Sequence, residues 1–151
     1  MNLALLYAEL RRDEAVRRWP YKDTGKPPKT TTGVGHNLDA WPLPAGWTYP
    51  LSDAQIMQLL ADDVADTLHQ LDMHLSWWRT LSEVRQRVIA NMCFNLGIAR
   101  LLEFKMTLAA MQTDNFGTAA DEMKNSEWFG EVGDRAVRLC SAMRTDVMPT
   151  A

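Results

Sequence analysis

The sequence predicts an α+β fold, a small β-hairpin lobe joined by one long helix to a larger helical lobe. Apolar residues recur at helical spacing at the start of the chain and through most of its second half. Between Trp19 and His36 the texture changes to a Gly-, Pro- and Thr-rich stretch. A Pro-rich connection then leads into a single long amphipathic run.

Taken in order, Leu3, Leu6, Tyr7 and Leu10 place a helix within residues 1–14. Gly25, Pro27 and Pro28 mark a turn, and Thr30–Thr32 with Val34 have β propensity, so a hairpin sheet is expected. The segment 38–50, LDAWPLPAGWTYP, holds too many prolines for a long helix. Ser52 reads as an N-cap, and Ile56, Leu60, Val64, Leu68 and Leu71 line one face of a helix over 53–71. A helix from about Leu81 to Leu96 is apolar on nearly every side around Ile89–Phe94, the mark of a buried core helix. Further helices are expected over 104–112, 116–124 and 133–145. The expected lobes are about 15–52 for the small one, and 1–14 with about 72–151 for the helical one, in one domain.

Composition excludes several classes. At 151 residues with 46% hydrophobic and 23% charged residues, the chain can bury a real core. A net charge of −3 gives no sign of a nucleic-acid binder. No run of apolar residues is long enough to span a bilayer. The opening MNLALLYAELRRDE lacks the order of a signal peptide, so cytoplasmic retention is expected. Cys93 and Cys140 lie in apolar helical segments and read as buried reduced thiols. His69 and His74 lack zinc-type spacing with cysteine, and no metal or cofactor is expected.

Glu14 falls four positions after Leu10, near the middle of the apolar stripe, with Asp13 toward the edge. A partly desolvated carboxyl suits a general acid, although a helix-end glutamate held by an arginine would look the same. Asp23 follows nine residues later in a turn, where aspartate is common for structural reasons alone.

The combination of these residues resembles the T-even phage lysozymes. In that family a helix-end Glu is followed by an Asp inside a Tyr-Lys-Asp-Thr stretch, then a strand Thr before a Gly-x-Gly-His motif. Here the matching positions are Glu14, Asp23 in Tyr21–Thr24, Thr31, and Gly33-Val34-Gly35-His36. Counting back from His36 selects Thr31, with Thr30 and Thr32 adjacent on the strand. The segment Asn91–Gly97 is similar to the family's central-helix motif, and Ser126-Glu127-Trp128 with Asp134-Arg135-Ala136 to its late segment. The match runs along nearly the whole chain. It departs in a longer Pro27-Pro28 hairpin tip, in Asn37 where the T-even enzyme has Leu, in the loop through Pro50 and in the tail.

The resemblance implies a lysozyme-like fold with its site in a cleft between lobes. It implies hydrolysis of the β-1,4 bond between N-acetylmuramic acid and N-acetylglucosamine in peptidoglycan, with inversion, for host lysis. Glu14 would be the acid, Asp23 the base, and Thr31 would hold the attacking water. Gly35, Asn37, Phe94 and Thr107 would meet the substrate. His36 would pair with Asp63, and Arg135 would reach Glu14. The glycines at 33 and 35 would let a sugar approach the backbone, or merely shape a turn. The only partner implied is the glycan strand, for a monomer without nucleic acid or stable membrane association, released through a holin-type lesion.

Rival readings are a lytic transglycosylase, a chitin- or chitosan-cleaving hydrolase, and a wall-binding phage component without catalysis. A transglycosylase needs no second carboxylate, so Asp23 with Thr31 counts against it. Of the six tryptophans, only Trp41 or Trp47 is a candidate for the cleft.

Overall fold

The computed structural model describes residues 1–150 and divides them into two compact units, Leu3–Asp66 and Met1–Asn2 with Thr67–Ala151, the last residue outside the description. The element types are those of an α+β chain: one small antiparallel sheet and helices before and after it.

In the first unit, helix α1 (Leu3–Glu14) buries Leu6 and Leu10. It stops at Ala15, whose φ of 60° is left-handed and ends the helical ladder. Strands β1 (Arg17–Lys22), β2 (Thr30–Gly33) and β3 (His36–Asn37) form an antiparallel sheet in the order β1-β2-β3. The strand ladder slips between Arg17 and Tyr21, on the edge strand that also carries Pro20, where a missing N–H does least harm.

Helix α2 (Asp53–His74) runs from this unit into the next and is three residues longer than its apolar pattern suggested. Its start is a capping box. Ser52 Oγ accepts from Gln55 N–H at 3.1 Å, and the Gln55 side chain accepts from Ser52 N–H at 3.0 Å. Ile56, Leu59, Leu60 and Val64 pack this helix into a core that includes Leu6, Leu10, Val34 and Leu51.

In the second unit α3 (Glu83–Leu96) is capped by Ser82 and buries Val88 through Cys93 in unbroken sequence. The all-round apolar reading of this helix therefore holds. Helices α4 (Ile98–Leu102), α5 (Lys105–Gln112), α6 (Phe116–Lys124), α7 (Glu127–Val132) and α8 (Asp134–Thr145) complete it. The short α4 and α7 have no counterpart in the sequence expectation, because five or six residues give too few turns for a period to show. Among the described residues no helix is long and apolar enough to cross a membrane.

Candidate active site

Glu14 is the last residue of α1 and is half-buried. The turn from β2 to β3 passes directly against it. A Cβ added at Gly35 would lie 2.9 Å from both Cδ and Oε2 of Glu14, closer than real Cβ atoms come. Gly35 has a φ of 63°, which L side chains rarely adopt, and a side chain there would force the Glu14 carboxyl to shift. The neighbouring Gly33 differs. It is buried, and a Cβ there would meet only Leu59 and Ile56 of α2 at 3.8 and 3.9 Å. Gly33 is thus closed to a sugar, which corrects half of the expectation for this glycine pair.

Asp13 also departs from its helical-wheel position. Its side chain is fully buried and accepts from Arg12 Nε at 3.0 Å. A wheel drawn for α1 alone takes no account of what packs on the last turn of the helix.

Asp23 sits at the hairpin tip just beyond β1. Its Oδ1 accepts from the backbone N–H groups of Gly25 at 3.0 Å and Lys29 at 2.8 Å, while its own N–H donates to the Lys29 carbonyl at 3.0 Å. These bonds fix the carboxylate's direction through one oxygen and leave Oδ2 for other work.

The strand register settles which threonines share a face. Tyr21, Thr31 and Asn37 lie opposite one another across the three strands, and Thr32 lies opposite His36 on the other face. Thr31 is buried and its hydroxyl donates to the Lys29 carbonyl at 3.3 Å. Thr30 Oγ1 accepts from Lys22 Nζ at 2.5 Å, and Thr32, fully buried, donates to the Arg17 carbonyl at 3.4 Å. Asn37 uses Oδ1 to accept from the N–H groups of Asp39 and Ala40 at 3.0 and 3.3 Å. Its amide NH₂ remains available as a donor.

Tyr21 is the residue that sequence reasoning passed over, although it stands beside Asp23 in the motif. The Arg17 guanidinium lies 5.1 Å from the centre of its ring. Burial first, then the Glu14 carboxylate, raise the phenol above its ordinary value; Arg17 opposes this and Asp23 adds a further push. One ring therefore registers the charge of both carboxylates.

On the opposite sheet face His36 Nδ1 is 2.7 Å from Asp63 Oδ2, and Nε2 is 2.8 Å from the Trp41 carbonyl oxygen. The ion pair expected between β3 and α2 is present. Trp41 itself is 58% exposed, so the loop is held by its backbone rather than by its ring.

Three candidates lie in the second unit. Arg135 on α8 is buried and donates from Nε to Asn91 Oδ1 at 2.8 Å. Phe94 on α3 is partly exposed. Thr107 on α5 lines a cavity of about 360 Å³ together with Phe104, Lys105, Glu122 and Trp128. Trp128 is fixed there by donation from Nε1 to Asn95 Oδ1 at 2.8 Å and by an edge-on contact with Phe104. Among the described residues there is no cluster of His, Cys, Asp or Glu suited to a metal ion.

No protein-family model matches the chain. Its sequence is similar to the probable T4-type lysozyme 1 of Dictyostelium discoideum, with 34% identity over 71 residues, covering 47% of this chain and 42% of that protein. It is similar to the pre-baseplate central spike protein Gp5 of Enterobacteria phage T4, with 25% identity over 90% of this chain and 27% of that protein. It is also similar to the peptidoglycan hydrolase gp36 of Pseudomonas phage phiKMV, with 28% identity over 89% of this chain and 14% of that protein. The chain spans less than half the length of each of these relatives. By these matches, as by its own motifs, the chain is similar to the T4-type lysozymes.

Proposed function

We propose that this chain is a glycoside hydrolase that cleaves the β-1,4 bond between N-acetylmuramic acid and N-acetylglucosamine in peptidoglycan. The observation that carries the reading is the Glu14 carboxyl lying against Gly35 in the turn between β2 and β3, with Thr31 opposite Asn37 on those two strands and Asp23 held at the tip of the same hairpin. Glu14 protonates the leaving oxygen. Asp23, through the oxygen left free by its turn, takes a proton from water held by Thr31, and the water attacks the face opposite the leaving group. The anomeric centre is inverted. Gly35 and Asn37 meet the substrate. The names of the relatives, lysozyme and peptidoglycan hydrolase, support the same chemistry.

The test is a zymogram on purified murein with kinetics on the same substrate. Glu14→Gln and Asp23→Asn should each lower kcat by about 10²–10⁴-fold, the usual worth of acid–base assistance, with circular dichroism unchanged. Mass spectrometry should find reducing ends rather than anhydro ends, and proton NMR should find the α-anomer first. Full activity in Asp23→Asn together with anhydro products would make the chain a transglycosylase. A wild-type protein that binds murein without cleaving it would end the enzymatic reading.

The setting proposed with this activity is host lysis by a monomer that stays in the cytoplasm until a holin-type lesion releases it. The match to Gp5, a pre-baseplate central spike protein, favours a second setting, the same activity carried by a phage particle. Mass spectrometry of purified virions separates the two, because only a particle-borne protein is found in them.

A further inference from the structure

We propose that Gly35 is a positioning residue, whose bare α-carbon forms the seat that fixes the Glu14 carboxyl. This rests on the reading of Glu14 as the acid, but its geometry stands by itself. The turn between β2 and β3 has two glycines with almost the same φ, 60° at Gly33 and 63° at Gly35. A left-handed backbone is therefore a shared reason for glycine and cannot separate them. Their surroundings do separate them. At Gly33 a Cβ would make ordinary contact with the side chains of Leu59 and Ile56. At Gly35 it would overlap Cγ, Cδ and Oε2 of Glu14, at 3.1, 2.9 and 2.9 Å.

The half-buried Glu14 side chain would have to move from its place for a side chain at Gly35 to fit. It leaves the last helical position of α1, and the following Ala15 is itself left-handed, so the chain turns sharply at that point. The seat and the turn together define where the carboxyl stands. Neighbouring strands do the rest: Val34, between the two glycines, is 1% exposed and pins the turn into the core. Displacing an acid by an ångström from its reactive position can cost about 10²-fold in rate.

The paired variants Gly35→Ala and Gly33→Ala both place a side chain on a left-handed φ, so comparing them, with and without Glu14, reports the seat. Measured on murein at a temperature where both are folded, Gly35→Ala should lose about 10²-fold in kcat, a larger factor than any change in KM. Gly33→Ala should keep kcat within a few-fold while its Tm falls. A second measurement needs no activity. In a double-mutant cycle, truncating Glu14→Ala should shrink the Tm loss caused by Gly35→Ala, and should leave the Gly33→Ala loss as it was. If Gly35→Ala does not fold alone, recovery of folding in the Glu14→Ala background is the same result. Equal kcat in the two glycine variants, or additive Tm losses for Gly35→Ala and Glu14→Ala, would overturn the seat. If the wild type proves inactive on murein, the proposed reaction fails while the cycle still decides the seat.

Discussion

His36 shows how one side chain can join an element to a loop. Its two ring nitrogens face two acceptors, the Asp63 carboxylate and the Trp41 carbonyl. Only the protonated ring donates to both. Burial alone would lower its pKa, but the hydrogen bond and charge of Asp63, the Trp41 carbonyl and the charge of Asp62 outweigh it, and the net direction is up. A folded-state value above the unfolded one means that the pair stabilises fully below about pH 6.5, the ordinary histidine value, and that this contribution fades as pH rises through the folded value. The side chains of His36 and Asp63 are only 5% and 18% exposed, so removing one takes a close, poorly screened partner from the other. His36→Asn should cost about 3 kcal/mol near pH 5.5–6, with the gap to wild type narrowing above that range. Thermal melts of both proteins across pH check this; a gap independent of pH would mean that the charge of His36 plays no part. The pair was foreseen from the resemblance. The second acceptor could not be, because a carbonyl from the loop at Trp41 leaves no mark in the sequence.

At the scale of elements, the strongest periodic signals gave the right helices, and the boundaries followed cap chemistry more than apolar pattern. The Ser52–Gln55 capping box places the start of α2 where Ser52 suggested, whereas Ser82 moves the start of α3 past Leu81. The hairpin was legible from its turn residues. The slip in β1 was not, since nothing in Arg17–Lys22 announces where the strand ladder misses residues. The end of α1 offers the sharpest test. Ala15 occupies the left-handed position that usually falls to glycine, at a steric cost of about 1–2 kcal/mol for an L-residue with a side chain. Glycine removes that cost but frees the unfolded chain, an opposing loss of about 0.4–1 kcal/mol. Ala15→Gly should therefore be stabilising by about 0.5–1 kcal/mol, a rise of about 2–3 °C in Tm. A fall in Tm would show that the Ala15 methyl makes contacts worth more than the backbone strain.

At the scale of the molecule, the core was readable because α3 declares itself buried on every side, and its Cys93 goes in with it. Networks between distant positions were not readable. Trp78 is fully buried, and its indole donates to Asp72, which also accepts from Arg79, an arrangement only the folded chain brings together. The two cysteines turn this burial into a measurement. Cys93 and Cys140 are 3% and 9% exposed on α3 and α8, and burial pushes the Cys140 thiol up to about 11 despite the nearby charges of Arg144 and Lys124. At pH 8 about one Cys140 in a thousand is then the reactive thiolate, and a reagent as large as an aromatic disulfide has no path to it without an opening of the helices. Ellman's reagent added to the native protein at pH 8 should thus find almost no thiol over minutes, and two per chain in denaturant. With time both sulfurs should react at one shared rate, set by the opening of the helices that bury them, and mutations that lower Tm through this unit should raise that rate. Fast reaction of Cys140 alone would mean that α8 detaches locally, and the last helix would have to be removed from the cooperative core.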